Sequence, residues 1–245
     1  MKISIITVAY NSGHTIADTL RSVAQQTHPE VEHILIDGAS TDNTLALARQ
    51  YGAHLANLIS EPDRGIYDAM NKGLACATGD FVGFLNADDM LASPETLARM
   101  AQKMADADLL YGDLVYVDSD QPDRIVRHWH SGAFRPARLR FGWMPPHPSF
   151  YFRRTVSPDM RFDLRYRIAG DYDFMVRCLK APLRVAYMPE ILVRMRNGGA
   201  SNRSVGAMLR KSREDLDVMR RQGVGGYLTL LSKNLRKLPQ FFSRS

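Results

Sequence analysis

The chain has 245 residues, 45% of them hydrophobic and 24% charged, with a formal net charge of +6. That length and mixture support one large folded unit, alone or with an appendage, and exclude a fibrous or disordered chain. Two cysteines, Cys76 and Cys178, exclude a disulfide framework, lack neighbours at zinc-ligand spacing and fit a reducing cytosol.

The first half alternates strand and helix signals, as a mostly parallel sheet requires. Ile3 to Ala9 reads as a strand, and Ile16, Leu20, Val23 and Ala24 recur at helical spacing. The apolar opening is interrupted by Asn11-Ser12-Gly13 before it reaches the length of a signal-peptide core. No later stretch is long enough to span a bilayer, so the expectation is a soluble or peripherally attached protein. Val31 to Ile36 is the second strand, Thr41 or Asp42 is placed to cap a helix carrying Leu45 and Ala48, and Leu55 to Ile59 is a short third strand. Ile66 to Ala77 reads as a helix closed by Gly79, Phe81 to Leu85 as a buried strand, and Pro94 opens a helix through Met104.

Beyond Asp108 the pattern changes. Leu109 to Val117 and Ile125 to Trp129 are β-rich runs joined by a hairpin turn over Asp118 to Asp123. A proline- and arginine-rich loop runs from Arg135 through Pro148. A helix over Asp171 to Leu179, strands over Leu183 to Met188 and Ile191 to Met195, and basic helices after Ser204 complete the chain. From Arg203 to Ser245, ten lysines and arginines face three acids, a net of +7 that leaves the remainder nearly neutral. Interleaved with Tyr227, Leu228, Leu230, Leu231, Leu235, Leu238, Phe241 and Phe242, these charges suit an anionic membrane surface. A nucleic-acid partner is the weaker alternative and is not expected.

Three predicted strand ends release polar residues: Tyr10-Asn11-Ser12, Asp37-Gly38-Ala39-Ser40 and Asn86-Ala87-Asp88-Asp89. In a parallel sheet all three leave the same edge, where open α/β sheets bind ligands. The last is the sharpest signal, because a buried strand ends in two adjacent carboxylates. Hard oxygen ligands select Mg²⁺ or Mn²⁺, which in turn hold diphosphates; the bland alternative is a solvated turn. Neither G-x-G-x-x-G after the first strand nor a Walker lysine is present, which counts against dinucleotide oxidoreductases and P-loop NTPases.

In order, Ile5 to Ser12, Ile36 to Asp42, Ser60 to Gly73, Leu85 to Asp89 and Ile168 to Asp173 resemble the inverting family 2 glycosyltransferases, especially bacterial enzymes of exopolysaccharide or lipopolysaccharide assembly. The resemblance implies an α/β GT-A fold with a mostly parallel central sheet flanked by helices and a basic helical C-terminal extension. It implies that Thr7, Ala9 and Tyr10 line a nucleotide-base pocket, that Asp37 accepts a hydrogen bond from the base, and that Asp63, Arg64 and Asp68 lie under the nucleotide. Asp68 also suits a helix cap, while Asn71 and Gly73 read as packing residues. Asp88 matches the last acid of the D-x-D signature, with Asp89 beside it and Asn86 in the first position, where asparagine keeps an oxygen acceptor but loses the charge.

Asp171 matches the catalytic base, and an N-cap role is its alternative. Asp173, two residues on, falls on another helix face. His147 is a further candidate for diphosphate or acceptor contact, and so are Arg194, Arg196 and the turn Asn197 to Ser201. Trp129 and Trp143 are candidates for stacking on sugar. The implied partners are a nucleoside-diphosphate sugar donor and a glycan or polyprenyl-linked acceptor, with Mg²⁺ or Mn²⁺ as cofactor, at the cytoplasmic membrane face. The implied division is a transferase domain over 1–200, with a nucleotide-binding half over 1–107 and an acceptor half over 108–200, and an extension over 201–245. Two other readings stay open: sugar-nucleotide nucleotidyl transfer, and an inactive glycan- or lipid-binding accessory protein.

Overall fold

The computed structural model describes residues 1–156, 160–198 and 205–235. In chain order the first half contains β1 (Ile3–Ala9), α1 (Ile16–Ala24), β2 (Val31–Asp37), α2 (Thr44–Tyr51), β3 (Leu55–Ser60), α3 (Ile66–Cys76), β4 (Phe81–Phe84), β5 (Asp89–Leu91) and α4 (Thr96–Met104). The second half contains β6 (Leu109–Val117), β7 (Ile125–Trp129), β8 (Tyr151–Arg153), α5 (Gly170–Lys180), β9 (Val185–Arg196), α6 (Val205–Arg221) and α7 (Tyr227–Leu235).

These elements build one sheet in the order β3-β2-β1-β4-β8-β6-β9-β5, with β7 hairpinned onto β6. Strands β1 to β4 are mutually parallel; β8 opposes both β4 and β6, and β9 runs with β6. Among the described residues, six of nine strands therefore run one way, with β5, β7 and β8 opposed. The register aligns Ala9 with Asp37 and Asp37 with Ser60, so the ends of β1, β2 and β3 are level.

Alternation assigns the side chains to two faces. Ile6, Val8, Val82, Phe84, Leu109 and Tyr111 pack with Tyr67 and Met70 of α3, Phe174 and Met175 of α5, and Val218 and Met219 of α6. Ile3, Ile5, Phe81, Leu85 and Leu110 pack the other way, with Val23 of α1 and Leu97, Met100 and Met104 of α4. β1 is buried along its whole length, which is why its sequence is nearly uninterruptedly apolar. At the edge opposite the polar loops, buried Glu32 accepts hydrogen bonds from Lys2, Ser4 and Thr78. Burial alone would raise its carboxyl, but these donors outweigh that and hold it at about 2.

The structure departs from the sequence reading in four places. Helix α2 begins at Thr44 with Asn43 as N-cap; Asp42 instead accepts the Thr44 and Gly13 N–H groups, tying two loops together. Asp89 is not in a turn but begins β5, a three-residue strand paired with β9. Short β8 lies beyond the proline-rich loop, in a stretch to which the sequence reading assigns no element. The two strands expected around Pro189 are one strand: the register with β6 jumps from Gly112↔Met188 to Asp113↔Ile191, a bulge that accommodates a proline lacking an N–H. The helices after Ser204 are present over Val205–Arg221 and Tyr227–Leu235.

Gly83 tests the packing between β4 and β8. A Cβ at this position would fall 2.2 Å from the ring of fully buried Tyr151. Gly83→Ala is expected to cost about 1–3 kcal/mol through overpacking, seen as a lower urea midpoint with an unchanged slope.

Candidate active site

The loops after β1 and β2 are stitched into one wall. The Asn11 N–H donates to Ser40 Oγ (2.8 Å), the Thr41 N–H donates to Asn11 Oδ1 (2.9 Å), and the Ser12 N–H donates to Thr44 Oγ1 (2.8 Å). Asn11 (φ 49°) and Ala39 (φ 59°) both occupy the left-handed region, so this wall carries backbone strain of the kind that clusters at ligand sites. Tyr10 stands above it, 66% exposed.

Asp37 lies beneath the wall, fully buried. Its carboxylate accepts the Ser40 N–H (3.0 Å), the Ser40 hydroxyl and the Ser60 hydroxyl (2.7 Å). It therefore pins the turn through Ala39. Thr7 is also fully buried, and its hydroxyl shares a hydrogen bond with His33 Nε2 (2.9 Å) of the neighbouring strand. Ala9 is buried at the level of Asp37.

Asp63 packs over Gly38, where a Cβ would meet its Oδ2 at 2.4 Å, and its Oδ1 accepts the Gly65 N–H (2.8 Å). Gly65, at φ 119°, turns the chain into α3. Asp68 reaches back to accept the Arg64 N–H (3.0 Å) and pairs with the Arg64 guanidinium (3.0 Å), whose donors hold its carboxyl below the usual range. Asp68 thus ties down the residue before the N-cap, Gly65, and not the cap itself. Asn71 exchanges two hydrogen bonds with the Phe162 backbone, and a Cβ at Gly73 would strike Ile6, so both are packing residues.

At the end of β4 the acid pair is divided. Asp88 is half-buried, while Asp89 is fully buried; burial first, and the Asp88 charge second, push the Asp89 carboxyl well above its ordinary range. Asn86 Nδ2 donates to Asp89 Oδ2 (3.2 Å), leaving Asn86 Oδ1 and Asp89 Oδ1 buried without hydrogen-bond partners among the described residues. Arg196, at the end of β9, donates to the Asp88 carbonyl (3.1 Å) and to Asp18 (2.5 Å), and Arg194 pairs with Asp123 (2.9 Å). Both arginines hold loops in place. The turn after them is described through Gly198; Gly199 to Ser201 lie outside the described residues.

Asn86, Arg196 and Gly198 line one part of a cleft of about 700 Å³ whose lining also includes Tyr67, Trp129, Trp143, His147, Asp171 and Tyr187. Asp171 sits in the first turn of α5. Its Oδ1 accepts the Tyr172 N–H (2.8 Å) and lies 3.3 Å from the Tyr67 hydroxyl, while Oδ2 accepts no hydrogen bond among the described residues. Asp173 is buried, paired with Arg177 (2.8 Å) and bonded by Gln222 (2.9 Å), so only the first of the two acids faces the cleft. His147 stacks on Phe84, with a buried, unpartnered Nε2. Trp143 donates its indole N–H to the Ser131 carbonyl (2.7 Å), and Trp129 stacks with Tyr116.

Residues 4–167 match the model of the family described as glycosyl transferase family 2. The chain belongs to that family. It is 34% identical to the PGL/p-HBAD biosynthesis glycosyltransferase of Mycobacterium tuberculosis, over 99% of this chain and 93% of the relative. Among solved structures it is similar to S. aureus TarS 1-349 in complex with UDP-GlcNAc, with a TM-score of 0.70 and 22% identity, covering 91% of this chain and 66% of that one. It is also similar to the mannosyltransferase PcManGT from Pyrobaculum calidifontis in complex with GDP-Man and Mn²⁺, with a TM-score of 0.67 and 17% identity, over 100% of this chain and 76% of that one. At these identities the structural likenesses carry the fold, which is the expected GT-A fold.

As a family 2 glycosyltransferase the chain is an enzyme of sugar transfer, and nucleotidyl transfer falls away. Two features of the site escaped the sequence. Tyr67 joins the two halves, its hydroxyl donating to the Ile168 carbonyl (2.6 Å) across 101 positions. Glu214 of α6 accepts the backbone N–H groups of Ile168 and Ala169, just ahead of Asp171. Neither carries a local motif, and only the fold brings them near.

Two buried histidines, His33 and His147, and half-buried His54 give the transferase an acid-sensitive core. Burial, with His54 adding to it, depresses His33 to about 3, and burial also lowers His54 and His147. Because unfolding restores their ordinary affinity for protons, stability is full above about pH 6.5 and falls as the pH drops from there toward 3. Melting temperature should decrease between pH 7 and 5, and less steeply in His54→Gln; a flat or rising profile would contradict this.

Proposed function

We propose that this glycosyltransferase moves a sugar, with inversion, from a nucleoside-diphosphate sugar to a glycan or polyprenyl-linked acceptor of cell-surface polysaccharide synthesis. The observation that carries this reading is that Asp171 and Asn86 line one cleft, although 85 positions separate them in the chain. An acid on one side and an oxygen-rich strand end on the other suit a single displacement, with attack and departure on opposite faces of the sugar.

In this reading 1–107 binds the donor and 108–200 the acceptor. Tyr10, Ala9 and the Asp37 turn border the base, with Asp63, Arg64 and Asp68 below the nucleotide. Asp171 Oδ2 takes the proton of the acceptor hydroxyl as that oxygen attacks the anomeric carbon, and the Tyr172 N–H holds the other oxygen. His147 offers its buried Nε2 to donor or acceptor.

The residues fit a divalent cation. Asn86 Oδ1 and Asp89 Oδ1 are buried and unpartnered, and Asp88 beside them completes an oxygen-only set suited to Mg²⁺ or Mn²⁺. No group of three or more His, Cys, Asp or Glu is placed for a metal among the described residues, so diphosphate oxygens would complete the shell, as is usual for Mg²⁺. When bound, the ion supplies positive charge to the departing diphosphate. Nucleoside-diphosphate release from UDP- and GDP-sugars with Mg²⁺ or Mn²⁺ tests the scheme. Asp171→Asn and Asp88→Asn should each lose at least about a hundredfold in turnover, and wild-type turnover in both would overturn the mechanism. Metal-dependent donor binding without transfer or hydrolysis would instead identify an accessory protein.

The extension supports a peripheral place at the cytoplasmic membrane face. No helix among the described residues is long and apolar enough to cross a membrane. Tyr227, Leu228, Leu231 and Leu235 of α7 are nevertheless exposed, Leu228 by 83%, and exposed Phe141 joins them, its carbonyl accepting the Ser232 hydroxyl (3.0 Å). Arg138 and Arg140 lie in the same turn as Phe141, giving anionic headgroups a counter-charge. Residues 236–245, with Leu238, Phe241 and Phe242, lie outside the described residues. The full chain should sediment with phosphatidylglycerol vesicles and less with phosphatidylcholine, and Leu228→Ser/Leu231→Ser should lose that binding. Equal, negligible sedimentation of both proteins would remove the membrane assignment.

A further inference from the structure

Helix α6 supplies a carboxylate to the segment that leads into Asp171. Glu214 Oε2 accepts the N–H groups of Ile168 (2.8 Å) and Ala169 (2.9 Å), and the Arg167 N–H lies 3.1 Å from Oε2 and 3.2 Å from Oε1. Three successive N–H groups aimed at one carboxylate form an anion nest. Since α5 begins at Gly170, the nest adjoins the helix N-terminus, where unsatisfied donors and the helix dipole both favour a negative charge.

The same segment is gripped from its other side. The Tyr67 hydroxyl donates to the Ile168 carbonyl (2.6 Å), the Arg167 guanidinium donates to the Arg64 carbonyl (2.8 Å), and a Cβ at Gly170 would lie 2.7 Å from the Tyr67 ring. Residues 167–170 are thus clamped between α3 and α6. Helix α6 is itself fixed: Val218 and Met219 are fully buried, Asp217 accepts the Tyr166 hydroxyl (2.9 Å), and buried Asp215 is bridged by Lys211 (3.0 Å) and by Lys233 of α7 (2.8 Å). Glu214 is not among the side chains that line the cleft, so its influence passes through the backbone it holds.

We infer that Glu214 is a positioning residue for the catalytic base, setting the start of α5 so that Asp171 Oδ2 meets the acceptor hydroxyl. This rests on the assignment of Asp171 as the base. A base works only within about 2.6–3.2 Å of the proton it removes, and a displacement of about 1 Å costs on the order of a hundredfold in rate. Released from Glu214, the three N–H groups of 167–169 lose their acceptor, while the Ile168 carbonyl keeps Tyr67 and the Ala169 carbonyl keeps the Asp173 N–H. Glu214 does not line the cleft, so a bound donor has no contact with it.

The test compares the full chain with Glu214→Ala, Glu214→Gln and, as a control on the same helix, Asp217→Asn. Nucleoside-diphosphate release is followed with UDP-glucose, UDP-GlcNAc and GDP-mannose, with and without a polyprenyl-diphosphate-linked sugar. Glu214→Ala should lower kcat about tenfold or more, with donor KM within about twofold of wild type. Glu214→Gln should fall between, because one amide oxygen can serve Ile168 and Ala169 while the NH₂ group opposes the Arg167 N–H. Asp217→Asn should stay near wild type.

Wild-type kcat in Glu214→Ala, a joint fall in kcat and rise in donor KM, or an equal loss in Asp217→Asn would overturn the inference. If the alanine variant does not fold, Glu214→Gln decides by the same split, with full kcat counting against the proposal. An inactive Asp171→Asn beside a fully active Glu214→Ala would remove this inference alone. An active Asp171→Asn would remove the base assignment on which it rests.

Discussion

Parallel pairing of β1 with β2 on one side and β4 on the other is the constraint on which the rest of the molecule depends. Because these strands share a direction, their C-terminal ends share an edge, and the polar residues that would interrupt a buried strand are released there together. The register that levels Ala9, Asp37 and Ser60 also lets two serines answer one buried carboxylate. Strand β9, placed between β6 and β5, brings Arg196 back to the same edge to hold the Asp88 carbonyl. The cleft is thus a consequence of strand direction, with side chains added.

Burying acids is costly unless donors meet them, and the protein supplies donors to most of its buried acids but leaves oxygens unanswered at the end of β4. Asp37 and Glu32 are surrounded by hydroxyls and N–H groups, whereas Asn86 and Asp89 each retain a bare oxygen. This gives Asn86 a physical reason. A carboxylate at that position would set a second charge against Asp89, but the amide donates to Asp89 on one side and still offers an oxygen on the other. The charge lost from the signature comes back as order within the strand end.

Much of the frame was legible in the sequence. The first four strands are uninterrupted apolar runs or end in turn residues, and Asp171 was separable from Asp173 because neighbours two apart on a helix face different surroundings. What escaped has common physical causes. Asp89-Met90-Leu91 is too short to show a period, and Pro189 looks like a strand break until a bulge removes the need for its N–H. The bond between Thr7 and His33, two places out of register on β2, could not be told without the strand pairing. Glu214 and the backbone it binds are separated by 45 to 47 positions, and backbone donors leave no mark on a sequence.

The clamp on residues 167–170 also bears on the order in which the enzyme comes into being. Its lower jaw, Tyr67, is in place early in synthesis, but its upper jaw waits for α6, and β5 finds its partner only when β9 has emerged. A ribosome-bound chain that has completed β1 to β4 already carries the stitched loop wall, but the 167–170 segment, once made, is held from one side only until α6 follows. Closing such distant contacts comes late, because the entropy of the intervening loop must be met first. The clamp is therefore complete only once α6 has emerged and packed.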